Sequence, residues 1–150
     1  MRSVVQRVSR ARVLVNGEVI GSIDQGLMAL VGLMEGDVDE DAQWLEHKLR
    51  TLRIFADDAG KMNRSVVDVG GALLLVSQFT LSADVGKGAR PSFARSMPPE
   101  AARAGFDKLV ASLRRGLRVE TGRFGAHMEV ELTNDGPVTL WLDSKARGEE

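Results

Sequence analysis

The chain has 150 residues, 43% of them hydrophobic and 27% charged, a balance that fits one folded domain spanning 1–150 with a real core. It has no cysteine, which excludes disulfides and thiolate metal sites and suits a cytoplasmic protein. Its net charge of -1 gives no global basic field, so any nucleic-acid contact has to come from local patches.

The N-terminal stretch MRSVVQRVSRARV alternates polar and apolar residues and lacks the apolar block of a signal peptide. No apolar run reaches the length of a membrane-spanning helix. Residues 4–8 and 11–15 read as strands. Asn16-Gly17 supplies the two positive-φ positions of a tight hairpin, and residues 18–23 return. The run GLMALVGLM (26–34) reads as a strand buried on both faces, with Gly32 allowing close backbone approach. Asp37 or Asp39 is placed to cap a helix from about Glu40 to Leu52, with Ala42, Leu45, Leu49 and Leu52 on one face. Residues 53–56 read as a short extended piece, and Asp57-Asp58-Ala59-Gly60 as a turn without the ligand pattern of an EF-hand.

Residues 65–69 alternate weakly before Gly70-Gly71. The run ALLLV (72–76) then stops abruptly at Ser77, Gln78, Phe79 and Thr80, the way a buried strand delivers polar groups to the edge of a site. Residues 81–97 read as an ordered loop carrying Lys87 and Arg90. Gly86-Lys87-Gly88 lacks the spacing of a phosphate-binding loop. Pro98-Pro99 opens a second helix with Ala102, Phe106, Val110 and Leu113 buried, stopped by Gly116. Residues 117–121 are extended. In residues 126–133, Met128, Val130 and Leu132 face one way and His127, Glu129 and Glu131 the other. Residues in a row along one strand face do not converge, so no metal is expected there. Asn134-Asp135-Gly136-Pro137 reads as a turn, and residues 138–142 as the last strand. The whole predicts an α+β fold: a curved, mostly antiparallel sheet or partial barrel with two packed helices.

The side chains offer little proton-transfer machinery. Only His47 and His127 could serve as a histidine base, neither in a triad-like setting, and no carboxylate pair stands out. An enzyme built this way depends on positioning and oxyanion stabilisation, with help from the substrate.

Ser77-Gln78-Phe79-Thr80-Leu81 and Asn134-Asp135-Gly136-Pro137-Val138-Thr139 resemble the two signature motifs of the D-aminoacyl-tRNA deacylase family, and Gly88 to Phe93 (GARPSF) resembles the loop between them. The N-terminal MRSVVQRV and the NGEVIGSI hairpin extend the likeness over essentially the whole chain. The resemblance implies hydrolysis of the ester joining a D-amino acid to tRNA, and removal of glycine from alanine tRNA. It implies a homodimer with two sites at the subunit interface, a related fold in the editing domain of some threonyl-tRNA synthetases, and no cofactor. Ser77, Gln78, Phe79 and Thr80 would line the catalytic pocket. Gly136 and Pro137, joined by a cis bond, would reach into the pocket of the opposite subunit, with Phe93 also on the substrate. Apart from the resemblance, Lys87 and Arg90 on the loop are the basic residues expected to hold the phosphates of the tRNA substrate.

Phe79 and Thr80 backbone N–H groups would bind the developing oxyanion, Gln78 would position the ester or a water, and the ribose 2′-hydroxyl would assist water attack. Thr80 as nucleophile is the rival mechanism. The alternatives in other classes are a non-catalytic tRNA- or RNA-binding module and an enzyme acting on a small phosphorylated ligand.

Overall fold

One strand organises the sheet. In the computed structural model, which describes residues 1–148, β1 (Arg2–Val15) runs unbroken where two short strands were predicted. The break expected between residues 8 and 11 is a register shift, around Val8 and Arg10, inside one continuous ladder. Asn16 (φ 50°) and Gly17 (φ 77°) make the predicted hairpin turn into β2 (Glu18–Ile23). β3 (Gly26–Gly32) then pairs antiparallel with the first half of β1, while β2 pairs with the second half.

Helix α1 (Asp39–Thr51) connects β3 to β6 (Ala72–Ser77), passing the small β4 (Phe55–Ala56) and β5 (Met62–Arg64) pair on the way. Helix α2 (Pro99–Leu113) connects β6 to β7 (Val119–Thr121). Both pairings spanned by a helix, β3 with β6 and β6 with β7, are parallel, as a crossover connection requires. The last strand, β8 (Glu129–Asp143), runs antiparallel along nearly all of β1. At the other margin β7 comes back toward β2, where the Arg118 guanidinium donates to the Ser22 carbonyl (3.0 Å). The sheet is therefore curled nearly into a barrel, as expected, with mixed strand directions.

The period-2 pattern of β3 and β6 sorts their side chains into two cores. Leu27, Ala29, Val31, Leu73 and Leu75 pack against Leu45 and Leu49 of α1 and Phe106, Leu109, Val110 and Leu113 of α2. Met28, Leu74 and Val76 face the other way, onto Val8, Ala11, Val13 and Ile23 inside the curl. With both faces covered, residues 72–76 have no room for a polar side chain, which explains their unbroken apolar run.

Two local expectations are corrected. The residue before α1 is Val38, not Asp37 or Asp39. Its N–H donates to Asp41 Oδ2 (2.9 Å), three residues on. Asp37 instead accepts from the Met34 N–H and from the Met1 ammonium, both at 2.7 Å, in a buried ion pair. Asn134-Asp135-Gly136-Pro137 does not join two strands. It is a bulge within β8: Asn134 lies opposite Val8 and Thr139 opposite Gln6, so four residues of β8 face the single Arg7. Residues 66–70, where the alternation is weak, form a turn.

Candidate active site

The apolar run of β6 carries the chain to Ser77, and the next residue is anchored from below. Gln78 N–H donates to the Val31 carbonyl (2.8 Å) at the end of β3. Gly32 permits this approach: a Cβ there would lie 2.8 Å from the Gln78 carbonyl oxygen and 2.9 Å from Leu81 Cβ. The chain then tightens into a single 3₁₀ turn, Phe79–Ser82, whose Leu81 carbonyl accepts from Arg2 Nη1 (2.9 Å).

At the start of that turn the Phe79 and Thr80 N–H groups have no hydrogen-bond acceptor among the described residues. They sit beside a cleft of about 690 Å³ lined by Ser77, Gln78 and Phe79, the 93–99 segment, Ala102, residues 124–128 and Val130. Leu33 and Val76 also line the cleft, from the ends of β3 and β6. Phe79 and Phe93, 58% and 38% exposed, meet edge to face at 5.1 Å at its mouth. The 93–97 segment is pinned to the end of β3 by Met97 N–H to the Leu33 carbonyl (3.1 Å) and Glu35 N–H to the Arg95 carbonyl (2.8 Å). A hydrogen bond between the Ser82 and Ser96 hydroxyls ties it to the 3₁₀ turn.

The chemical inventory of the cleft is sparse. His127 is the one titratable side chain among the lining residues. The Thr80 hydroxyl accepts from the Gln78 amide (Nε2 to Oγ1, 2.5 Å), a donor rather than a base. His127, Glu129 and Glu131 lie exposed along one face of the strand region, and no three acidic or histidine side chains converge among the described residues.

The remaining sequence-predicted residues are distributed unevenly. Ser77, Gln78, Phe79 and Phe93 come together in the cleft, with Thr80 next to them. Lys87 and Arg90 ride on an exposed loop closed at its base by the Asp84–Ser92 pair of backbone hydrogen bonds (2.8 and 2.9 Å) and do not line the cleft. Gly136 and Pro137, joined by a cis peptide bond, are exposed and also absent from the cleft wall. Across the ladder, Ser77 aligns with Val31, Ser3 and Leu142, whereas the 135–138 bulge aligns with Arg7, Leu27 and Leu73. The two motifs of one chain thus lie toward opposite ends of the strands.

Asn134, the first residue of the second motif, and Arg7, outside it, hold the bulge. Asn134 Oδ1 accepts from the Val138 N–H (2.7 Å) and its Nδ2 donates to Thr139 Oγ1 (2.9 Å), bridging the bulge from side to side. Arg7 Nε donates to the Asp135 carbonyl (2.8 Å) while Nη1 donates to the Ile54 carbonyl (2.6 Å). The place of Arg7 opposite the second motif is a fact of pairing, invisible to local pattern.

Fold and site define an α+β protein with a nearly closed sheet and an open, aromatic-edged cleft at the end of a parallel strand. The family model described as "D-Tyr-tRNA(Tyr) deacylase" matches residues 4–143. A D-aminoacyl-tRNA deacylase of Thermomicrobium roseum is 59% identical over 145 residues, covering 96% of this chain and 94% of that one. A D-aminoacyl-tRNA deacylase of a Geobacillus species is 55% identical over 148 residues, covering 98% and 97%. Among solved structures, one described as "c-Myc DNA Unwinding Element Binding Protein" superposes with a TM-score of 0.91 at 41% identity, covering 95% of this chain and 98% of that one. The chain belongs to the D-Tyr-tRNA(Tyr) deacylase family.

Proposed function

We propose that the protein hydrolyses the ester linking a D-amino acid to the 3′ end of tRNA, releasing both, and acts in the same way on glycine misattached to alanine tRNA. Membership of the deacylase family supports the reaction class. The observation that carries the mechanism is the pair of unpartnered N–H groups, Phe79 and Thr80, at the edge of a cleft with almost no proton-transfer groups. Such donors hold the negative charge that develops on the ester carbonyl oxygen, an effect of about 3–4 kcal/mol per donor. The terminal ribose carries a hydroxyl next to the ester, which guides the attacking water, and Gln78 orients it. Thr80 lines the site without forming a covalent intermediate, since its hydroxyl faces an amide donor.

The exposed Phe79–Phe93 pair at the mouth offers aromatic surface on which the terminal adenine stacks. Chirality is read by exclusion. The Gly136–Pro137 bulge of a second copy closes the cleft, and its fixed backbone carbonyls leave no space for an L side chain while admitting hydrogen or a D side chain. The position of the bulge, away from its own cleft, supports a homodimer in which each chain completes the other's site.

A second reading, a nucleic-acid-binding module without catalysis, draws on the description of the solved relative as a DNA-element binding protein. Incubation with D- and L-aminoacyl-tRNA side by side decides between the two. Release of free amino acid from the D ester alone supports the enzyme. Binding of both esters with release from neither supports the module.

A further inference from the structure

Beside the cleft, on the far side of Phe124, lies a second concavity of about 350 Å³ between α2 and the end of β7. Three exposed arginines line it: Arg103, Arg114 and Arg123. None of them makes an ion pair among the described residues. Arg103 Cζ stands 5.6 Å from the centroid of the Phe124 ring, so the aromatic wall shared with the cleft carries a cation on its outer face. Arg114 is oriented by its own bonds to the Val119 carbonyl (Nε and Nη2, both 3.2 Å). One carboxylate, Asp107, also lines the hollow and leaves it a net charge of two positive.

The helix makes these residues a track. Arg103 and Arg114 are eleven positions apart, three turns, so they share a face and are separated by roughly 17 Å along the axis. Ala102, the residue before Arg103, lines the cleft itself. A polyanion whose end occupies the cleft and whose body follows α2 would meet Arg123 and Arg103 first and Arg114 last. Arginine suits phosphate recognition because its planar fork presents several donors at fixed angles.

We propose that this hollow binds the sugar-phosphate backbone of the RNA whose 3′ end enters the cleft, making Arg103, Arg123 and Arg114 a recognition track for the acceptor end. This rests on the tRNA-ester reading above, and the test separates the two. Affinity for uncharged tRNA is measured across a salt series for the wild type, Arg103→Gln/Arg123→Gln, the triple variant with Arg114→Gln, and Asp107→Asn. In parallel, kcat/KM is measured on full-length D-aminoacyl-tRNA and on a D-aminoacyl adenosine ester.

The triple variant is expected to weaken tRNA binding about tenfold or more and to flatten the log-log salt slope by about 2 to 3, close to one per lost phosphate contact. The double variant, which leaves the Arg114–Val119 contact intact, should show about two thirds of that change in slope. Asp107→Asn should tighten binding. Activity on the adenosine ester should stay within twofold throughout.

An unchanged salt slope in both arginine variants overturns the proposal. So does an equal loss on the adenosine ester, which would place the arginines' effect inside the cleft. So does a DNA duplex that competes as well as tRNA and loses affinity in parallel. A wild type that binds tRNA through these arginines but releases no amino acid leaves the track standing and removes the hydrolase reading.

Discussion

Thr80 and Phe79 carry the sharpest distinction at the scale of single residues. If the water is activated by the substrate's own hydroxyl, Thr80→Ala keeps kcat within about tenfold of wild type. A loss beyond about a thousandfold with unchanged binding would make Thr80 the nucleophile. The backbone donor is tested by Phe79→Pro. Position 79 is the first of the 3₁₀ turn, where proline is tolerated, and Gln78 before it is already non-helical (φ −139°, ψ 83°). Against a Phe79→Ala control, loss of the N–H should lower kcat by about 10²–10³. Equal activity in the two would mean that the N–H does not touch the reacting carbonyl.

Asp41 is one residue through which acid acts on the fold. Burial by itself pushes its carboxyl up. The hydrogen bond from Lys145 Nζ (2.8 Å), together with those from Val38 N–H (2.9 Å) and Ser144, outweighs this and holds it at about 2, below the ordinary 3.8. A pKa depressed in the folded state means stability that is present above pH ~4 and lost as pH falls toward 2, on the order of 2 kcal/mol in all. Denaturant midpoints of wild type and Asp41→Asn should therefore differ at pH 6 and converge toward pH 2. A constant gap across that window would show that the carboxylate is not preferentially charged in the fold.

Among the elements, the bulge in β8 has the most specific requirements. Gly136 has φ +146°, and a Cβ there would come within 2.8 Å of Val138 Cγ2, 2.9 Å of Val138 N and 3.2 Å of Arg7 Nη2. Gly136→Ala must displace the backbone, and a displacement near 1 Å at a catalytic site costs about 100-fold. D-ester kcat/KM should fall by about that much and the D/L ratio should shrink. Unchanged turnover and selectivity would remove the bulge from the site.

How far the sequence was legible follows the same element. Strands whose identity lies in their own residues were readable: the two-sided apolar run of 72–76, the Asn16-Gly17 hairpin, both helices, and the close approach at Gly32. The bulge was not, because Asn-Asp-Gly-Pro has turn chemistry whether the chain reverses or loops out of one strand. Only β1, running past it without a break, decides between them. The same holds for the site. Ser77, Gln78, Phe79 and Phe93, which belong to local motifs, line one cleft. Arg7 and Met1 act through partners far away in the chain, at Asp135 and Asp37, which no periodicity encodes.

For the whole molecule, the disposition of parts has one consequence. The cleft opens at one end of the strands and the bulge stands toward the other, so on the proposed reading a complete site is built by two chains in an isologous pair. β8 lends itself to this, since among the described residues it pairs with β1 alone and it carries the half-exposed Trp141. The most direct test is subunit complementation. Phe79→Pro has an intact bulge and a disabled cleft; Gly136→Ala has the reverse. Each alone should hydrolyse D-aminoacyl-tRNA poorly. Unfolded together, or coexpressed at equal amounts, half of the random dimers contain one of each, and one of their two sites is whole. Activity should then rise to about a quarter of wild type. Activity that stays at the mean of the two parents, with mixed dimers demonstrably present, would contradict a site shared between chains.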